Sequence, residues 1–304
     1  MMKYVVTGGA GFIGSNLVDR LVSQNHEVHV IDNFISGQKQ NCNKSAIYHN
    51  YDISDTKNNK IFIKIMKGAS IVFHTAALAR VQLSILEPIK YETNNTLGTI
   101  NILKAADEAK VKRLVYSASS SAYGDSSNLP LNENQQSKPL SPYAAQKYYG
   151  EIYCQMFTEM FDIETVCLRY FNVFGENQNL GGPYATVVGI FLNQLEEGKP
   201  MTIFGDGKNK RDYTYVGDVI DANLLASESP NVGNGEIINI GTGTNISVNE
   251  LADLIGEKKV YLKAIKEPKE TLADITKAKS LLNWTPKVRL QDWIQNYKKT
   301  KKLK

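Results

Sequence analysis

The stretch VVTGGAGFIGSNL, residues 5–17, constrains this chain more than any other. An apolar run enters it and a helix-like run leaves it, so the glycines lie between a strand and a helix. Gly9, Gly11 and Gly14 fit G-x-G-x-x-G, while Gly8, Gly11 and Gly14 fit G-x-x-G-x-x-G. Glycine permits a tight turn and close backbone approach to a pyrophosphate, whose charge sits at the helix N-terminus. Asp32 ends the next apolar run, 18 residues after Gly14. A carboxylate there accepts from a ribose 2′-hydroxyl and repels a 2′-phosphate, so NAD is favoured over NADP. Asp52 follows the third apolar run, where it caps a loop or meets adenine; the residues alone leave both open.

Strand-like runs at 3–7, 27–31, 46–51, 70–75, 113–117 and 164–171 alternate with helix candidates at 12–24, 60–67, 89–110 and 142–161. Most of the strand runs are nearly continuously apolar, as expected where helices cover both faces of a parallel sheet. This alternation predicts an α/β fold, a Rossmann-type doubly wound parallel sheet with ligands beyond the carboxyl ends of its strands. After residue 172 the rhythm changes, with GENQNLGGPYA loop-like, EIINIG (236–241) strand-like and SVNELADLIG (247–256) a helix capped by Ser247. The expected organisation is an NAD-binding domain over 1–172, rejoined by roughly 212–242. Segments 173–211 and 243–304 form a smaller α/β domain that binds substrate.

The 35 basic and 31 acidic residues give a formal charge of +4, but five lysines crowd the last seven residues. Without them the body is close to neutral, so nucleic acid is not an expected partner, and the tail reads as a solvated terminus. No apolar run approaches the roughly 18 residues of a membrane span, and no signal peptide opens the sequence. A cytoplasmic protein is expected. Cys42, Cys154 and Cys167 show no metal-ligand spacing, and His26, His29, His49 and His74 are scattered. No metal site is expected.

SPYAAQKYYGE begins at residue 141, with Ser141 as helix cap and Pro142 in the first turn. Tyr143 and Lys147, four apart, share a helix face. Tyr297 and Lys301 repeat the spacing in the charged tail with nothing around them, and read as chance. The first pair is different because an apolar run, LVYSASSSAYG, ends nearby in four serines out of five residues. A phenol with a pKa near ~10 must drop by roughly three units, about 4 kcal/mol, to act as a base at neutral pH. One cation at ~4 Å in a partly desolvated site supplies energy of that order.

With TGGAGFIGS, IDN, HTAA, NNTLGT, SPYAAQK, LRYFNVFG, IFGDGKNKRDYTYV, INIGTG and LADITKAKSLLNW all present, the chain resembles the NAD-dependent sugar epimerase/dehydratase family over essentially its whole length. Within this family of extended short-chain dehydrogenases it is most similar to UDP-glucose and UDP-N-acetylglucosamine 4-epimerases. The resemblance implies Ser119, Tyr143 and Lys147 as the catalytic set, with Lys147 lowering the tyrosine pKa and holding the nicotinamide ribose. It implies cofactor contacts from Gly8, Gly11, Phe12, Ile13, Asp32, Asn33, Asp52, Ile53, Ala76, Ala77, Asn95, Ser117 and Tyr170. Nucleotide-sugar contacts fall on Asn172, Thr186, Val187 and Arg211, and the domain formed by 173–211 and 243–304 becomes the nucleotide-sugar-binding domain. A homodimer built from segments 89–110 and 142–161 is also implied.

Related 4,6-dehydratases carry acids at the two positions after the serine of the catalytic set, whereas this chain has Ser120 and Ser121. The chemistry is therefore expected to stop at oxidation and return at C4, interconverting UDP-Glc with UDP-Gal. Thr271, at the position bounding the sugar's C2 side, is small enough to extend this to UDP-GlcNAc and UDP-GalNAc. Two departures stand out. Ala264 occupies the place of an arginine that grips the diphosphate in many relatives, with Lys263 and Lys266 beside it. Arg80 follows HTAALA, where it either faces an acidic or N-acetylated sugar or faces solvent. Rival readings are a UDP-glucuronate 4-epimerase or decarboxylase, and an NAD-binding regulator without catalysis.

Overall fold

The computed structural model describes residues 1–256 and 258–303, so Glu257 and the last lysine of the tail, Lys304, lie outside the described residues. The first half runs β1 (Lys3–Thr7), α1 (Phe12–Ser23), β2 (Glu27–Ile31), β3 (Ile47–His49), α2 (Asn59–Met66), β4 (Ile71–His74), α3 (Val81–Leu86), α4 (Pro88–Glu92), α5 (Gly98–Glu108), β5 (Arg113–Ser119), α6 (Pro142–Met160) and β6 (Glu164–Tyr170). The rest runs β7 (Val173–Phe174), α7 (Val187–Glu196), β8 (Met201–Phe204), β9 (Lys210–Arg211), β10 (Thr214–Tyr215), α8 (Val216–Glu228), β11 (Asn234–Ile240), β12 (Ile246–Ser247), α9 (Val248–Ile255), β13 (Lys259–Leu262), α10 (Thr276–Leu282) and α11 (Leu290–Lys301).

Seven strands form one parallel sheet in the order β11-β6-β5-β4-β1-β2-β3. The strand order reverses between β1 and β4, which opens a crevice at their carboxyl ends. Alternation along each strand sends neighbours to opposite faces. Tyr4, Val6, Ile71, Phe73, Val115, Val166 and Leu168 pack with residues of α1, α8 and α10 on one side. Val5, Val72, Leu114, Tyr116 and Cys167 pack with α2, α5 and α6 on the other. The strands are buried on both faces, hence their continuously apolar sequences. A third cluster, including Phe174, Phe191, Leu192, Ile203, Leu251, Ile255 and Trp293, unites α7, β8, α9 and α11 beside the sheet.

Two elements differ from the sequence expectation. The third strand spans only Ile47–His49, because it is the sheet edge and pairs with β2 alone. The helix expected over 89–110 is divided: α4 passes through a π-helical turn at Thr93–Leu97 before α5 begins. The wide turn contains Asn95, whose amide Nδ2 donates to the Leu78 carbonyl (3.1 Å) and to Gln146 Oε1 (3.0 Å) while its Oδ1 accepts from the Leu78 N–H (2.8 Å). That clamp ties the loop after β4 to the helix layer, and the extra residue in the turn accompanies it. Capping followed the sequence more closely. Ser247 and Glu250 make a reciprocal capping box on α9, and Ser141 caps α6 through the Ala144 N–H.

Candidate active site

The glycine turn after β1 is shaped by contacts that only hydrogen satisfies. Gly8 has φ +72°, and a Cβ there would lie 2.7 Å from the Ala76 backbone. A Cβ on Gly14 would overlap the Gly8 carbonyl oxygen and sit 2.8 Å from Thr75 Oγ1. Gly11 caps α1 without a side chain, leaving the helix's first N–H groups facing the crevice. Asp32 is buried between the Ala10 N–H (2.9 Å) and the Phe34 N–H (2.8 Å). Burial pushes its pKa up, and those two backbone donors oppose the rise. Each carboxylate oxygen takes one of these bonds and keeps acceptor capacity for a ribose hydroxyl. The cradle thus fits a dinucleotide.

Its far wall is the loop after β4. His74 is wholly buried, with Nδ1 2.7 Å from Thr7 Oγ1 and Nε2 2.9 Å from Thr99 Oγ1. Desolvation, reinforced by the Lys147 charge, pulls its pKa down to about 3, so the imidazole is neutral. Thr99 gives its own proton to the Asn95 carbonyl, so Nε2 is the protonated nitrogen and Nδ1 accepts from Thr7. Thr7 Oγ1 in turn accepts from the Ala76 N–H at 3.3 Å. A neutral histidine therefore pins Ala76 and Ala77 against the crevice. Asp52 caps its loop, accepting from the Ser54 N–H (2.8 Å), and also accepts from Asn33 Nδ2 (3.1 Å). Asn33 and Ile53 lie on the cavity wall.

Tyr143, Lys147 and Ser119 converge where β5 ends and α6 begins. Lys147 is 3% exposed, and its Nζ donates to the Ser117 carbonyl at 2.7 Å. The ammonium also lies 4.9 Å over the Tyr116 ring. Desolvation lowers its pKa to about 8, against the pull of Cys154 and Glu151. The Tyr143 N–H donates to Ser84 Oγ at 3.1 Å, which anchors the start of α6 to α3. Ser119 Oγ accepts from Ser121 Oγ (2.9 Å) and from the Ser121 N–H (3.2 Å).

The electrostatics correct one expectation. The Tyr143 pKa is raised rather than lowered: burial dominates, and the Ser119 hydroxyl is the group that opposes it. Lys147 is not among the groups that shift it, and its ammonium donates to the Ser117 carbonyl. A phenolate at neutral pH therefore needs a further positive charge, which the cationic ring of bound NAD⁺ carries.

A cavity of about 700 Å³ joins these parts. Gly8, Gly11, Phe12, Ile13, Asp32, Ala76, Ala77, Ser119, Tyr143 and Tyr170 line it, as do Asn172, Thr186, Val187, Arg211 and Thr271. Asn95 and Ser117 stand behind the wall. Asn95 forms the Leu78 clamp, while Ser117 reaches the site through its carbonyl on Lys147 and its hydroxyl on Tyr170 (3.1 Å). Arg211 is buried and paired with Glu267 at 3.0 Å. Thr271 Oγ1 accepts from the Asp212 N–H and from Asn172 Nδ2, each at 3.4 Å. Thr186 caps α7. Arg80 does not face open solvent. It is half-buried on the wall, donates to the Ala185 carbonyl at 2.8 Å, and has no carboxylate partner among the described residues. Ala264 lies outside the lining, whereas Lys266 is on it.

Sequence reasoning missed Ser36, Tyr184, Phe204, Tyr213 and Ile265, all on the wall. The Tyr213 hydroxyl is buried with no protein partner. The flanking Arg-Asp and Thr-Tyr pattern was the only signal for Tyr213; loop aromatics elsewhere carry none. Among the described residues no helix is long and apolar enough to cross a membrane, and no cluster of metal-ligating side chains occurs.

Gly14→Ala is the sharpest test of the cradle. Overpacking against the Gly8 carbonyl, with a penalty of about 1–3 kcal/mol, is expected to weaken NAD retention by about ten- to a hundredfold. Nucleotide released from the denatured protein measures it.

A parallel sheet with a glycine cradle, an acid closing β2, and a serine–tyrosine–lysine set beyond the end of β5 defines an NAD-binding enzyme of the short-chain dehydrogenase type. A profile described as the NAD dependent epimerase/dehydratase family matches residues 4–241, and the chain belongs to that family. A Mycolicibacterium smegmatis UDP-glucose 4-epimerase is 34% identical, with 96% of each chain covered. The Thermotoga maritima UDP-glucose 4-epimerase, solved with UDP-glucose, superposes with a TM-score of 0.92 at 37% identity, covering 98% of this chain and 99% of that one. A UDP-N-acetylglucosamine 4-epimerase from Methanobrevibacter ruminantium M1, solved in complex with UDP-N-acetylmuramic acid, gives 0.90 at 35%, covering 97% and 96%. NAD is the cofactor of this family.

Proposed function

We propose that the chain is a nucleotide-sugar 4-epimerase that interconverts UDP-Glc with UDP-Gal and UDP-GlcNAc with UDP-GalNAc. One observation carries the reading. Among the described residues the carboxylates on the cavity wall are Asp32, in the cradle, and Glu267, paired with Arg211. The reacting end around Tyr143 offers the hydroxyls of Ser119, Ser120 and Ser121 and no carboxylate. A site with one phenol and no acid moves the O4 proton and has no group to move protons at C5 or C6.

In this reading Tyr143 removes the proton from O4 and later returns it, and Ser119 orients the same oxygen. Bound NAD, held by the glycine turn at Gly8–Gly14 and by Asp32, would supply a reversible hydride acceptor for C4. Lys147 holds its charge beside the Ser117 carbonyl and the nicotinamide ribose. Arg211, with its planar fork, exchanges Glu267 for the diphosphate. Asn172, Thr186 and Val187 border the sugar and nucleotide, and Thr271 bounds the C2 side.

A second reading, a UDP-glucuronate 4-epimerase, is favoured by Arg80, a half-buried guanidinium on the wall with only a carbonyl for a partner. Ser84 links its turn to Tyr143, so it belongs to the reacting end. The UDP-N-acetylmuramic acid held by the M. ruminantium relative also carries a carboxylate. One experiment separates the readings: incubation with UDP-Glc, UDP-GlcNAc or UDP-GlcA without added NAD, followed by proton NMR of the anomeric signals. The galacto-isomer of the first two supports the main reading; conversion of UDP-GlcA alone, lost in Arg80→Leu, replaces it with the second. Silence on all three, with NAD added, overturns both.

A homodimer is part of the proposal. Ile89 and Leu97 on one segment and Tyr149, Met156 and Met160 on α6 are exposed apolar residues on the segments expected to pair. Ile89→Glu/Met156→Glu is expected to run as a monomer in light scattering where the parent runs as a dimer; a monomeric parent would refute the assembly.

A further inference from the structure

The buried face of α6 carries more charge than the reaction described above uses. Glu151 lies one turn beyond Lys147 and is fully buried, 0% exposed. Residues four apart on a helix are neighbours, about 5–6 Å between Cβ atoms. Arg169 on β6, itself 1% exposed, grips the carboxylate with both arms: Nε to Oε1 at 2.8 Å and Nη2 to Oε2 at 2.6 Å. The guanidinium lies 4.5 Å over the Tyr123 ring and donates to Ser137 Oγ, while Nη1 has no partner among the described residues. A buried ion pair is weak grounds for stability, since apolar residues of the same volume often serve as well. Its position invites another role.

We propose that Glu151 is a positioning residue for the reaction, the fixed counter-charge that keeps Lys147 a cation, and that Arg169 keeps Glu151 ionised. This rests on the epimerase reading for its kinetics, but not for its electrostatics. Lys147 is surrounded by groups that offer it little else. From β5 come the Tyr116 ring and the Ser117 carbonyl, and from β4 the neutral His74. From α6 come Tyr143, Cys154 and Glu151. Of these only Glu151 is an anion. Burial raises the Glu151 pKa and Arg169, with Lys147, pulls it back, so without Arg169 the carboxylate would lose the main group that opposes its neutralisation.

The test uses NAD-loaded protein labelled with 13C at lysine Cε, with the Lys147 signal assigned through Lys147→Arg. In Glu151→Gln the Lys147 titration midpoint is expected to fall by about one pH unit or more, the size of shift one nearby opposite charge produces. The alkaline limb of kcat should move with it while KM stays within about threefold. Glu151→Gln leaves Arg169 buried and unpaired, which threatens folding. Glu151→Gln/Arg169→Met removes both charges and should show a displacement in the same direction, smaller because the Arg169 cation is lost with the carboxylate. Glu151→Asp should restore the parental midpoint. An unchanged midpoint in the double variant overturns the proposal, as does a uniform loss of kcat with an unmoved alkaline limb. A displaced midpoint in protein that turns over no nucleotide sugar supports the role of Glu151 and overturns the epimerase reading instead.

Discussion

Tyr143→Phe protein is expected to fold normally, keep its NAD, and lose about 10²–10⁴-fold in kcat, the usual contribution of a positioned acid–base group. The fold should not notice the change. The Tyr143 hydroxyl has the Ser119 hydroxyl as its protein partner, a bond the fold does not depend on, and the start of α6 is secured by backbone contacts. The Ser141 cap and the Tyr143 N–H bond to Ser84 both survive. KM for the nucleotide sugar should shift little, because Arg211, the proposed diphosphate contact, is a separate residue of the wall. Epimerisation rates with each UDP-sugar, set against thermal unfolding, check both halves. Full activity would remove Tyr143 from the mechanism and reopen the reading of a chain that binds NAD without catalysis. Ser119→Ala should cost less, since it orients the oxygen without holding the proton.

The second large effect is expected at a residue that touches no ligand in the proposed mechanism. Asp212 is fully buried, and each carboxylate oxygen accepts twice. Oδ1 takes the Thr242 N–H (2.8 Å) and hydroxyl (2.7 Å), and Oδ2 takes the Gly243 N–H (3.0 Å) and Ala273 N–H (3.1 Å). Burial raises its pKa, and these donors oppose the rise. The carboxylate thereby staples the turn after β11 to the strand-like segment that carries Thr271. Asp212→Asn keeps the shape but turns an NH₂ toward two donors. Two buried donors left unsatisfied at about 1–3 kcal/mol each predict a loss of roughly 2–6 kcal/mol. A urea midpoint lowered at unchanged slope would measure it, and KM should rise because Asn172 and Thr271 are positioned through the same backbone. A variant as stable as the parent would show that the staple is redundant.

Much of the fold was legible because its signals are local. A buried parallel strand must be apolar on both faces, so the runs at 3–7, 113–117 and 164–171 announced themselves, and their observed spans differ by at most three residues at an end. The edge strand was overestimated because the polar, aromatic run around Tyr48 satisfies a strand pattern without saying how many partners it will have. The helix at 89–110 was drawn as one piece because a π turn leaves the apolar period almost intact; its accompaniment, Asn95 on Leu78, lies 17 residues away.

The site divides along the same line. The sequence alone determined the glycine cradle, the acid after β2, the Tyr-x-x-x-Lys face and the hydroxyls that stand where acids would be. Each is a short-range pattern in which backbone geometry or helix period fixes the placement. Only the tertiary structure decided that Asn95 and Ser117 work from behind the cavity wall, and that Arg80 faces the crevice against the Ala185 carbonyl. It also decided that Arg211 waits on Glu267, and that Glu151, 18 residues from Arg169, sits as its partner beneath the lysine. Those are contacts between segments brought together by packing, and what they set is burial and charge environment. Neither quantity is a property of a residue's neighbours in the chain, which is why the tyrosine and lysine were visible in the sequence while their pKa values were not.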